Sequence, residues 1–88
     1  MAYDYEIERP KVFTDEGQRK FLKVRDHVHC LLDKAGAVRM QEAMSATSGD
    51  SWVTLACVDR LVELGEIREI TDSGDVLGQH RVFVKVGE

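Results

Sequence analysis

Val58-Asp59-Arg60-Leu61-Val62-Glu63-Leu64-Gly65-Glu66-Ile67 is the stretch on which the fold turns. A helical period of apolar residues runs into a glycine, and the glycine runs into a segment led by isoleucine. Extending the period backwards at about 100° per residue puts Thr54, Leu55, Cys57, Val58, Leu61, Val62 and Leu64 on one side of a helix over Trp52 to Leu64. Gly65 supplies the residue that takes a left-handed backbone without a Cβ penalty and stops it. Downstream, Glu66 to Thr71 and His80 to Val86 are short and rich in Ile and Val, and Asp72-Ser73-Gly74-Asp75 between them is hairpin turn chemistry. Val82, Val84 and Val86 alternate with Arg81, Phe83 and Lys85, so the second strand has an inward and an outward face, with Arg81 and Lys85 on the outer one.

Upstream, Thr14 can accept a bond from the first turn of a helix, and Asp15 and Glu16 sit where the helix dipole favours negative charge. From there Gly17, Phe21, Val24, Val28, Leu31, Leu32 and Ala35 share one stripe, Arg19, Lys23, Asp26 and Lys34 fall opposite, and Gly36 closes the helix. Ala37 to Arg39 reads as a short extended link. Met40 to Ala46 reads as a short second helix, and Thr47 to Ser51 as a turn in which Asp50 or Ser51 caps the third helix. Tyr3 to Val12 has no helical period and carries the sole proline of the chain, Pro10, so residues 1–13 are expected to form an extended arm and 14–88 the domain.

The order helix, link, helix, turn, helix, two-stranded hairpin resembles the winged helix-turn-helix family over about Thr14 to Val86. Within it, the stretch Val58 to Ile67 is similar to the end of a recognition helix running into the first wing strand. The expected fold class is therefore α+β, a three-helix winged helix-turn-helix with a C-terminal two-stranded β-hairpin wing. The resemblance implies that Trp52 to Leu64 would enter a DNA major groove, with the hairpin touching the backbone.

The residues on that helix argue for a different ligand. Opposite its apolar stripe lie Trp52, Ala56, Asp59, Arg60 and Glu63, one cation against two anions, and Asp72 and Asp75 at the wing tip would meet phosphate with like charge. The formal net charge of −4 adds no attraction to a polyanion. Arg19, Lys20, Lys23 and Arg25 lie on the first helix, behind the reading helix, and read as a solvated face. An aromatic beside a small residue, rimmed by charge, suits a protein interface. Trp52 either forms that anchor or folds over the second helix near Met40 or Met44. The reading is thus a non-enzymatic regulatory or adaptor module that binds a protein partner or itself as a homodimer, through Trp52, Ala56, Asp59, Arg60 and Glu63. The alternative is a sequence-specific DNA-binding regulator using Arg60, Arg81 and Lys85.

Other chemistries find less support. His27, His29, Cys30, Cys57 and His80 lack the spacing of a metal site. Cys57 lies on a core stripe and Cys30 has only Asp26 and Lys34 at helical spacing, which is no nucleophile–base set. Glycines stand singly, without a phosphate-binding loop. No cofactor, small-molecule substrate or enzymatic activity is expected. At 88 residues, 43% hydrophobic and 32% charged, the chain suits one modest core. Two cysteines inside helices, an acidic start and no long apolar run lead to an expectation of a cytoplasmic protein that does not cross a membrane.

Overall fold

A computed structural model describes residues 3–45, 51–70 and 81–86. The fold is mixed α+β. The elements are α1 (Tyr5–Val12), α2 (Asp15–Ala35), β1 (Ala37–Arg39), α3 (Met40–Met44), α4 (Ser51–Glu63), β2 (Ile67–Glu69) and β3 (Val82–Lys85). The strands form one antiparallel sheet in the order β1-β3-β2. No helix among the described residues is long and apolar enough to cross a membrane.

The helix boundaries follow the local chemistry. The Thr14 hydroxyl accepts from the Gly17 N–H at 3.0 Å, and Gly36 (φ 79°) and Gly65 (φ 78°) take the left-handed backbone that ends α2 and α4. Phe21, Val24, Val28 and Leu32 of α2 are buried as their stripe requires. They pack against Cys57, Val58 and Leu61 of α4, with Met40 and Ala43 of α3 joining the same core. Each such side chain contributes about 1.5–3 kcal/mol when fully removed from water.

Three expectations need correction. Ala37 to Arg39 is a strand, not a link, because Val38 pairs with Phe83 in the antiparallel register. The sheet therefore has three strands where two were expected. Strand β3 also faces the other way from its expected parity. Phe83 is fully buried, while Val82 and Val84 are only partly buried. The core accepts the larger side chain, and Arg81, two residues earlier, is carried to the same face. Thirdly, residues 5–12 of the expected arm are a helix that packs against α4 and α2. Expectations resting on Ala46 to Asp50, Thr71 to His80 and the Asp72–Asp75 turn lie outside the described residues.

Candidate functional site

The side of α4 turned away from α2 is where the sequence places its interaction residues, and α1 covers it. Asp4 caps α1 by accepting from the Glu6 N–H at 2.9 Å. Glu6 and Glu8 in the first turn and Arg9 and Lys11 in the last complement the helix dipole. Tyr5, Glu8 and Val12 recur at helical spacing, and Val12 is wholly buried. From this base the Tyr3 hydroxyl donates to Asp59 at 2.7 Å and the Tyr5 hydroxyl to Glu63 at 3.0 Å. Arg9 Nε donates to both Glu63 oxygens at 3.1 Å.

Asp59, Glu63 and Arg60 are thus all paired within the molecule, although Glu63 stays exposed. The Arg60 guanidinium bonds Glu63 at 2.6 Å and lies 5.0 Å from the centre of the Phe13 ring, with Arg9 4.9 Å from the same ring. Ala56, expected on the exposed arc, is fully buried. It shares its helical face with Asp59 and Glu63, and its small side chain lets a second helix approach closely. Trp52 is half-buried in the first turn of α4. Burial, followed by the bond to Glu63, raises the Tyr5 pKa to about 12. Burial and the bond to Asp59 push Tyr3 up further. Bonding from Arg60 first, then from Tyr5 and Arg9, holds Glu63 below the usual carboxylate range despite some desolvation.

Arg81 is tied down by the inverted parity of β3. It bonds Asp59 of α4 at 2.8 Å and Glu69 of β2 at 2.9 Å, with all three side chains less than a fifth exposed. Its guanidinium lies 5.2 Å from the Phe83 ring centre. Burial alone would lower its pKa, but the bonds to Glu69 and Asp59 outweigh that and raise it. Of the three cations considered for DNA, Lys85 alone is exposed; Arg60 and Arg81 each face carboxylates at ion-pair distance.

The described nucleophile and ligand candidates stay apart. Cys57 is buried and its thiol is pushed up to about 11 by that burial, whereas Cys30 is exposed. His27 Nε2 lies 3.1 Å from the Glu42 carbonyl oxygen and 3.2 Å from Ser45 Oγ, which ties α2 to α3. His29 Nε2 lies 2.9 Å from Glu66 Oε1, and Arg25 donates to the same oxygen at 3.2 Å. These two bonds hold the turn after α4 onto α2. No group of three His, Cys, Asp or Glu able to hold a metal ion occurs among the described residues, and His80 lies outside them.

Several large apolar side chains stay open among the described residues. Phe13, Leu22 and Leu64 are 48%, 50% and 47% exposed. The Gln18 side chain donates to the Val12 carbonyl at 2.6 Å, Leu22 comes one turn after Gln18, and Arg25 reaches Glu66. Leu64 lies between Glu66 and Arg60, and Arg60 returns to Phe13. The sequence places Leu64 on the core stripe of its helix. It is exposed because it lies just beyond α4, in the turn that Gly65 reverses. Phe13 and Leu22 give no signal in the sequence, since single apolar residues among polar ones look ordinary. Protein-family models, curated proteins and solved structures yield no match to this chain.

Proposed function

We propose that this chain is a non-enzymatic, winged-helix-type adaptor that binds a protein partner through exposed apolar side chains such as Phe13, Leu22 and Leu64. The winged-helix reading draws support from the order α2, β1, α3, α4, β2, β3 and the sheet order β1-β3-β2. The observation that carries the functional reading is the closure of the α4 face. In the family's docking mode that face would lie in the major groove. Here α1 sits on it, and Arg60 and Arg81 are paired with Glu63, Asp59 and Glu69. A phosphate backbone would have to displace those carboxylates, on a chain whose net charge is already −4. Exposed apolar side chains, with Arg9 and Arg60 against the Phe13 ring, in contrast suit a protein surface.

The test sets the two ligand classes against each other. Fluorescence anisotropy with a labelled random duplex at low salt is expected to show no binding. Affinity that falls steeply with salt and disappears in Arg60→Glu or Arg81→Glu would establish the DNA reading instead.

A further inference from the structure

We infer that Tyr3, Asp59, Arg81 and Glu69 form a conformational link through which docking of α1 on α4 sets the end of β2 and the start of β3.

Each joint of the link is a bond between side chains far apart in the sequence. The Tyr3 hydroxyl, just before the Asp4 cap of α1, donates to Asp59 Oδ2 at 2.7 Å. Arg81 Nη2 donates to Asp59 Oδ1 at 2.8 Å and to Glu69 Oε1 at 2.9 Å, while its Nε donates to Glu69 Oε2 at 3.0 Å. Glu69 is the last residue of β2, and Arg81 directly precedes β3. Two backbone bonds report on the same place. The Met40 N–H donates to the Arg81 carbonyl at 2.7 Å, and the Ile70 N–H donates to the Val82 carbonyl at 2.9 Å.

The charge balance makes these joints depend on one another, because one guanidinium serves two carboxylates. Among the described residues Arg81 is the cation at ion-pair distance from Asp59, since Arg9 and Arg60 bond Glu63 and Arg39 bonds Glu42. Tyr3 occupies Asp59 Oδ2, from which Arg81 Nη1 already stands 3.4 Å away. When α1 withdraws that hydroxyl, Oδ2 takes its bond from Arg81 instead and draws the guanidinium off Glu69. All three charged side chains are less than a fifth exposed, so water replaces the hydroxyl poorly and neighbouring bonds strengthen one another. The coupling is reciprocal. A partner that draws α1 away loosens the strand ends, and one that displaces the strand ends loosens α1 by the same factor. The clasp of Tyr5 and Arg9 on Glu63 holds the same helix without a bond to Arg81 among the described residues.

Amide hydrogen exchange followed by NMR on the full chain tests the link. Tyr3→Phe removes one hydroxyl, and the Met40 and Ile70 amides are expected to exchange at least about fivefold faster relative to the amides of α2 in the same sample. The Arg81 Nε–H resonance is expected to move with them. Tyr5→Phe loses an equivalent bond from the same helix and should leave both amides and that resonance unchanged. Asp59→Asn breaks the middle of the link and should reproduce the Tyr3→Phe pattern. Met40 and Ile70 amides indifferent to Tyr3→Phe, or accelerated equally by Tyr5→Phe, overturn the link, as does a response confined to Asp59→Asn.

Discussion

Replacing Gly17 by alanine is expected to destabilise this protein, against the usual direction for a helix. Ordinarily a glycine within a helix is worse than alanine by about 0.5–1 kcal/mol, so the exchange stabilises. At Gly17 a Cβ would lie 2.0 Å from the Lys11 carbonyl oxygen and 2.8 Å from that of Val12. Both are backbone atoms, at the end of α1 where it turns into α2. Restoring even a tight 3.0 Å contact requires the Lys11 carbonyl to retreat by about 1 Å. That movement pulls on Val12, which is wholly buried, and on the Gln18 bond to the Val12 carbonyl. Overpacking of this kind costs about 1–3 kcal/mol, which outweighs the propensity gain. For a domain of this size each kcal/mol moves the melting temperature by roughly 4–8 °C. Urea and thermal denaturation followed by circular dichroism measure it. A Gly17→Ala variant more stable than the parent would refute the close approach of α1 to α2, and with it the closure of the α4 face.

The same contacts lead to three further outcomes. Arg81→Met leaves Asp59 and Glu69 facing each other without their shared cation, and a loss of about 2–4 kcal/mol in urea unfolding is expected; a loss under about 0.5 kcal/mol would mean the guanidinium holds nothing together. Bonding from His29, then from Arg25, keeps the Glu66 carboxyl below its ordinary value of 4.5. A depressed folded-state pKa stabilises the protein fully above that value, and the contribution is lost as the pH falls through the folded pKa. Glu66→Gln should therefore flatten the decline of stability below about pH 4.5, and an unaltered pH profile would contradict the assignment. At mildly alkaline pH, iodoacetamide is expected to label exposed Cys30 quickly and to spare buried Cys57 until the chain unfolds. Two adducts on the native protein by mass spectrometry would place Cys57 outside the core.

The Arg81 network arises from contacts between residues far apart in the chain. Lys85 and Arg81 share the parity of buried Phe83, yet one ends in solvent and the other between two carboxylates, because Asp59 of α4 and Glu69 of β2 stand beside Arg81. Residues Tyr5 to Val12 carry a legible cap in Asp4 and a charge order suited to the dipole. They nevertheless read as extended, since Ile7, the most apolar side chain among them, points to solvent at 69% exposure and spoils the period, and since Pro10 counts against a helix.

Local chemistry alone settled the helices from Asp15 and Ser51, their glycine stops and the buried stripe of Val58 and Leu61, since caps and periodicity act over a few neighbouring residues. Folding in three dimensions settled the rest. Pairing with β3 turned Ala37 to Arg39 into a strand, and docking of α1 turned the face of α4 that carries Asp59 and Glu63 into a contact within the molecule. Such outcomes depend on which surfaces meet. The free energy of a meeting belongs to two distant segments at once, and neither of them carries its sign on its own.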